Sequence, residues 1–323
     1  MHYLITGGAG FIGGHLAETL IHAGHQVTVI DDLSTGQLSN IDAIKEHKNF
    51  RFITGDILNF PGLDKLVEEC DTVFHLAAAV GVELVVHDPV RTIETNVHGT
   101  ERVLKPAARY NKKIIVASTS EVYGKSTQEK FSETDDLLIG SPYHSRWSYA
   151  CSKLIDEFFI MAYHSDAGLR GTIVRFFNTV GPRQTGRYGM VIPRFVAAAL
   201  KGEPLKVFGN GDQTRCFCHV FDTIRALIKL ADNEASSGKI FNIGNTHRIS
   251  INKLAEQVIS QLNSSSEIVH IPYEEAYEKG FEDMLHRAPD IRLIKEFSGW
   301  KPELSLDKVI TDVAQYQRET LKH

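Results

Sequence analysis

Cysteine is scarce in this chain and follows no pattern. Cys70, Cys151, Cys216 and Cys218 show neither CxxC pairs nor Cys/His spacing, so no metal site is expected. Cys216 and Cys218 stand two apart, which on one strand puts them on the same face with no sensible bond between them. All four are expected as reduced thiols packed like small apolar residues. Long apolar runs are missing too, since nothing approaches the roughly 20 residues that span a bilayer. The first strand candidate begins at residue 2 and enters a glycine loop at once; with no leader ahead of it, a cytoplasmic location and no membrane partner are expected. Nor is there a block of like charge. A net formal charge of −5 spread over 323 residues argues against a nucleic-acid partner, while leaving room for a local basic pocket. We find no internal repeat and no low-complexity linker.

What is present is a globular balance, 42% apolar and 23% charged, enough to bury a sizeable core. The first half alternates short β-branched runs with longer periodic segments. Strands are expected at residues 2–5, 27–30, 50–54, 72–76, 114–117 and 171–176. Helices are expected from Phe11 through Leu16, Leu20 and Ile21, and over 93–110 and 149–164. That rhythm predicts an α/β fold, a Rossmann-type doubly wound parallel sheet covered on both faces. After Asn178 the rhythm breaks, with Gly181-Pro182 and the glycines up to Gly211 as punctuation. Helices are expected over 192–201 and, from an N-cap at Ser250, over 251–262; residues 266–291 read as irregular. The division expected is a cofactor domain over 1–177, to which part of 215–245 returns, and a smaller C-terminal α/β substrate lobe over 178–323.

The loop Thr6-Gly7-Gly8-Ala9-Gly10-Phe11-Ile12-Gly13 follows a strand and opens a helix. There a glycine motif gains meaning, because the turn, the bare backbone and the helix N-terminus together receive a pyrophosphate. Asp31 ends the next strand, 18 residues after Gly13. An acid at that place accepts the ribose hydroxyls of NAD and repels a 2′-phosphate; Asp32 follows, with no arginine nearby to favour NADP. A turn or cap aspartate is the plainer reading of Asp31, and also of Asp56 in Thr54-Gly55-Asp56-Ile57, where a bond to adenine is the alternative. Ala77-Ala78-Ala79 offers a smooth wall to a flat cofactor, and Asn96 lies early in a long helix.

Tyr149 and Lys153 are four apart and share a helix face. An ammonium beside the phenol lowers its pKa towards neutrality, so the phenolate can take a hydroxyl proton. YxxxK alone arises often by chance, but here it follows a glycine loop, several βα units and a strand ending in Ser118-Thr119-Ser120.

With Gly7, Gly10, Gly13, Asp31, Thr119, Tyr149 and Lys153 in this order, the chain resembles the extended short-chain dehydrogenase/reductases. More narrowly it resembles their nucleotide-sugar epimerase, dehydratase and decarboxylase group, over nearly its whole length. The resemblance implies NAD as cofactor and a UDP-sugar as substrate, transiently oxidised at a ring hydroxyl. It implies Tyr149, Lys153, Thr119, Ser120 and Glu121 as catalytic residues. Cofactor contacts are implied at Gly7, Gly10, Phe11, Ile12, Gly13, Asp31, Asp32, Asp56, Ile57, Leu76, Ala77, Ala78, Asn96, Tyr149, Lys153 and Phe176. Substrate contacts are implied at Arg146, Asn178, Val191, Arg215 and Arg287. Members of the family are commonly dimers joined through helices equivalent to 93–110 and 149–164, so a homodimer is expected.

Which reaction follows is not set by fold and cofactor. Glu121 is informative, since a simple C4 epimerase needs no additional acid or base beside the ring. Ser120-Glu121, the run Arg146 to Lys153, and the runs 277–283 and 286–291 resemble UDP-glucuronic acid decarboxylases and UDP-apiose/xylose synthases. The latter carry cysteine in place of Ser120. A guanidinium from Arg146 or Arg287 suits a hexuronate carboxylate; a surface or cap charge at Arg146, a loop carbonyl partner for Arg287 and a surface acid paired with Arg215 are the plainer alternatives. Residues 179–194 look more like C4 epimerases. Decarboxylation of a UDP-hexuronic acid is therefore expected first, with Glu121 and Ser120 returning a proton to C5 directly or through water. C4 epimerisation stands second and dehydration third; a non-catalytic NAD-binding protein, which would not need Tyr149 and Lys153, is the alternative of another class.

Overall fold

In the computed structural model, described over residues 1–79, 88–186, 190–272 and 286–320, the β-branched runs become a seven-stranded sheet. Its strands are β1 (His2–Thr6), β2 (Gln26–Asp31), β3 (Phe50–Thr54), β4 (Thr72–His75), β5 (Lys113–Thr119) and β6 (Arg170–Phe176), with a seventh at Lys239–Ile243. The order is β3-β2-β1-β4-β5-β6 followed by Lys239–Ile243, and every neighbouring pair is parallel. Parallel neighbours need crossovers, which the helices supply: α1 (Phe11–His22), α2 (Leu63–Glu69), α3 (Pro89–Arg109) and α4 (Trp147–Ala167).

Strand periodicity shows why both faces must be covered. Tyr3 and Ile5 enter one apolar cluster with Leu16, Leu20 and Trp300, while Leu4 enters another with Leu66, Val103 and Leu104. Ile115 and Val174 follow the first set; Ile114, Val116 and Ile173 follow the second. Successive side chains point to opposite faces, and here both directions end in a dry core. Helix α3 starts earlier than its apolar period, because Asp88 caps it by accepting from Arg91 N at 3.2 Å and Pro89 fills the first turn.

Beyond the sheet, β7 (Thr179–Val180), α5 (Val191–Lys201), β8 (Leu205–Phe208), β9 (Thr214–Cys216), β10 (Cys218–His219) and α6 (Val220–Ala231) follow in order. The strand Lys239–Ile243 is β11, and β12 (Arg248–Ser250), α7 (Ile251–Leu262), β13 (Ile268–Ile271), β14 (His286–Arg287), α8 (Arg292–Ser298) and α9 (Leu306–Thr320) complete the chain. A separate apolar cluster joins Ile192, Phe195, Leu205, Leu254, Val258 and Val313. Ser250 caps α7, accepting from Lys253 N at 3.2 Å.

Two expectations fail here. Residues 268–271, expected to be irregular, form β13, parallel to β8; the expected irregularity over 273–285, and with it the run 277–283, lies outside the described residues. Cys216 and Cys218 do not share a strand. The ladder breaks at Phe217, so Cys216 ends β9 in a three-stranded sheet and Cys218 starts β10 beside β7. All four thiols are free, and Cys70, Cys216 and Cys218 are buried.

Candidate active site

A cavity of about 720 Å³ opens at the carboxyl ends of β1, β4, β5 and β6, where the strand order reverses and open α/β sheets receive ligands. Its first wall is the glycine loop. Gly7 sits at φ +70°, and a Cβ there would press on the Ala77 backbone nitrogen at 2.7 Å, so loop and β4 end are in direct contact. Gly10, Phe11, Ile12 and Gly13 line the same wall.

Asp31 lies at the cavity edge and is buried, its carboxylate accepting from Ala9 N at 2.9 Å and Leu33 N at 2.8 Å. Burial raises its pKa, and those two backbone bonds work against the rise. Each oxygen keeps a lone pair for a diol. Asp32 is turned to Ser34, and Asp56 accepts from Leu58 N at 2.9 Å; both also line the cavity, as do Ile57, Leu76, Ala77, Ala78 and Phe176. These residues fit a dinucleotide, on the evidence of the bare glycine cradle and the placed acid.

Two expected wall residues stand behind the wall instead. Asn96 accepts from Ala79 N at 2.8 Å and donates to Ser152 Oγ at 3.0 Å. Ser152 in turn donates to the Tyr149 carbonyl at 2.8 Å, so Asn96 braces the turn after β4 against α4. Lys153 is also off the wall. Its Nζ donates to Asp156 Oδ2 at 2.6 Å, with both side chains buried. The Tyr149 phenol is under opposing influences. Burial pushes its pKa above the ordinary value, the Glu121 and Asp156 carboxylates push the same way, and the hydrogen-bonded Thr119 hydroxyl pulls down.

At the other end of the cavity the site is assembled from distant segments. β5 ends at Thr119, whose Oγ1 accepts from Glu121 N at 3.2 Å and starts the turn Ser120–Tyr123. That turn presents Ser120 and Glu121 to the cavity beside Tyr149. Arg146, just before α4, approaches Glu121 Oε2 at 3.3 Å. Arg287 on β14 pairs with Glu121 Oε1 and donates to Asn178 Oδ1 at 2.5 Å. Arg287 stands opposite Arg215 in the β14–β9 ladder, so both project from the same face. Asn178 takes φ +26°, a conformation asparagine tolerates better than most residues, and its Nδ2 donates to the Cys216 carbonyl at 3.0 Å.

Burial alone would raise the Glu121 pKa, but Arg287 and Arg146 outweigh it and hold the carboxyl at about 2. Direct proton donation by Glu121 at neutral pH, expected from sequence, is thus opposed by the two guanidiniums that grip it. Val191, Arg215 and Asn178 line the cavity. Sequence reasoning missed Arg194, stacked 4.5 Å over Phe208, and Lys206. It also missed the buried ion pair of Arg175 and Glu157, which seats Ser118 through a 2.5 Å bond. Their only signal is a charge inside an apolar run.

A family profile described as GDP-mannose 4,6 dehydratase matches residues 4–313. The chain belongs to that family, the GDP-mannose 4,6-dehydratase-like branch of the extended short-chain dehydrogenase/reductases. This dehydrogenase/reductase is 44% identical over 98% of its length to a UDP-N-acetyl-α-D-glucosaminuronate decarboxylase of Bacillus cytotoxicus, covering 97% of that protein. It is 35% identical over 99% of its length to UDP-glucuronic acid decarboxylase 1 of Xenopus tropicalis, covering 73% of it. A crystal structure of UDP-glucuronic acid 4-epimerase from Bacillus cereus, in complex with UDP-glucuronic acid and NAD, superposes with a TM-score of 0.88. Identity there is 28%, with 99% of this chain and all of that one covered.

Proposed function

We propose that this enzyme is an NAD-dependent decarboxylase of a UDP-hexuronic acid. The observation that carries the reading is the Arg146–Glu121–Arg287 cluster, which lines the same cavity as Tyr149 and offers a pair of guanidiniums suited to a sugar carboxylate. The similarity to two hexuronate decarboxylases over nearly the full chain supports it. Bound NAD supplies a hydride acceptor at the sugar C4. Tyr149, which must first lose its own proton, takes the C4 hydroxyl proton as the phenolate, and Thr119 hydrogen-bonds the same oxygen. The resulting ketone makes the C6 carboxylate a β-keto acid. Arg146 or Arg287, with Arg215 alongside, orients that carboxylate so that the C5–C6 bond breaks, carbon dioxide leaves and its electrons form an enolate. The Tyr149 hydroxyl, now protonated, donates to the enolate oxygen. Because Glu121 is held ionised, the proton for C5 arrives through Ser120 or water, and Glu121 keeps the two guanidiniums in register. Arg194 and Lys206 add positive charge to the cavity lining.

Incubation with NAD and either UDP-glucuronic acid or UDP-N-acetylglucosaminuronic acid, followed by mass spectrometry, tests the reading. Products lighter by carbon dioxide alone, the hydride having returned to C4, or by carbon dioxide and two hydrogens, with NADH released, support it. An isomer of unchanged mass would replace it with C4 epimerisation, the reaction of the solved relative. We further infer a homodimer: Ile155, Phe158 and Met161 follow one another at helical spacing on α4 and are exposed, with Val90 and Ile93 exposed on the adjoining α3. No helix among the described residues is long and apolar enough to cross a membrane; with four free thiols, we place the enzyme in the cytoplasm.

A further inference from the structure

Behind the cavity wall runs a chain of buried polar groups that the reaction scheme above leaves unused. Lys153 Nζ meets Asp156 Oδ2 at 2.6 Å, one helical turn further along α4, and Asp156 is fully buried. Thr100, reaching in from α3, lies beside the Asp156 carboxylate and bonds His75 Nε2 at 3.1 Å. His75 Nδ1 meets Thr6 Oγ1 at 2.7 Å, and Thr6 Oγ1 accepts from Ala77 N at 3.3 Å on the cavity wall. Burial pushes the His75 pKa down to about 3, with Lys153 adding to the effect, so the ring is neutral. It ties β1, β4 and α3 together behind the lysine.

A buried carboxylate in such a place has a cost that packing does not repay, unless it acts on the charge it touches. We propose that Asp156 is a positioning residue that holds the Lys153 ammonium as its counter-charge, and so governs how readily Tyr149 gives up its proton. Tyr149, Lys153 and Asp156 are spaced four and three apart on one face of α4. Lys153 alone would favour the phenolate. Paired with Asp156 it delivers little net charge, and the carboxylate itself disfavours a second anion two turns away. The other charges that face this group are Glu121 and Arg287 beyond the phenol and Glu157 beside Asp156; none of them lies between Lys153 and Tyr149 along the helix.

The inference rests on the reading of Tyr149 as the group that takes the sugar's hydroxyl proton. Its test is Asp156→Asn, assayed two ways across pH. One is the pH profile of kcat and KM on a UDP-hexuronic acid. The other is the ultraviolet absorbance of tyrosinate in the NAD-loaded protein, with a Tyr149→Phe control subtracted. Removing one charge about two turns away should move the acid limb down by about one pH unit, a gain of about tenfold in rate on that limb. The tyrosinate signal should appear correspondingly earlier, with KM unchanged. A limb and a tyrosinate titration that stay in place, or that move upward, would overturn the proposal and leave Asp156 a packing residue. Should the asparagine variant not fold, Asp156→Ser carries the same expectation. If wild type fails to turn over any hexuronate the functional reading falls, while the tyrosinate measurement still decides the role of Asp156.

Discussion

Glutamine at position 121 keeps the shape of the side chain and removes its charge, leaving Arg146 and Arg287 without the anion between them. The structure says what that is worth. A carboxyl ordinarily near 4.5 is held at about 2, which amounts to about 3 kcal/mol in favour of the folded state. The side chain is 23% exposed, and solvent screening reduces the figure to about 2 kcal/mol. The sign is definite. A folded-state pKa below the unfolded one contributes fully where the unfolded chain is also ionised, above about 4.5, and the contribution is lost as pH falls towards about 2. Urea unfolding of wild type and Glu121→Gln, without substrate, should therefore show a gap of about 2 kcal/mol near neutral pH that closes steadily in acid. A gap that is the same at all pH values, or widens in acid, would show that the arginines do not hold Glu121 as an ion and would undo the argument about proton delivery.

Four further outcomes are expected. Tyr149→Phe should lower kcat by at least about a hundredfold and abolish NADH formation in single-turnover absorbance, with little change in KM; normal turnover would remove Tyr149 from the scheme. Asp31→Ala should weaken NAD binding by about 1.5–3 kcal/mol in calorimetry, the range for a hydrogen bond to a charged group, and narrow the preference over NADP. Trp300→Ala removes a core side chain that is 1% exposed and whose Nε1 donates to the Asp222 carbonyl at 2.9 Å. It should cost about 3–5 kcal/mol in denaturant unfolding. Phe158→Glu, at a position 69% exposed in the single chain, should shift sedimentation towards monomer while leaving thermal stability of the protomer unchanged; an unaffected oligomeric state would rule out this face as the interface.

Much of this was legible residue by residue. Strands β1, β2, β4, β5 and β6 announced themselves because each is buried on both sides and therefore reads as an apolar run, while the edge strand β3, with Arg51 and Thr54 exposed, read through its aromatic and β-branched residues. β13 did not, since Val269 and His270 are exposed, and a strand paired only with β8 carries no such run. The break between Cys216 and Cys218 was invisible because it depends on which strands pair with β9 and which with β10. The Lys153–Asp156 contact was hidden for another reason. Spacing puts the lysine equally within reach of Tyr149 one turn back and Asp156 one turn on, and only the burial of that carboxylate decides between them.

The cofactor half of the cavity was determined by the sequence itself, because its parts are local: a glycine loop between a strand and a helix, and an acid at the next strand end. Backbone geometry brings such neighbours together without help from the rest of the molecule. The sugar half was decided by the tertiary structure. Glu121, Arg146 and Arg287 come from three segments of the chain, and Arg287 arrives only because β14 pairs with β9. Their charge states follow from the same packing, since desolvation and the strength of an ion pair depend on what surrounds a group in space and not on its neighbours in the chain.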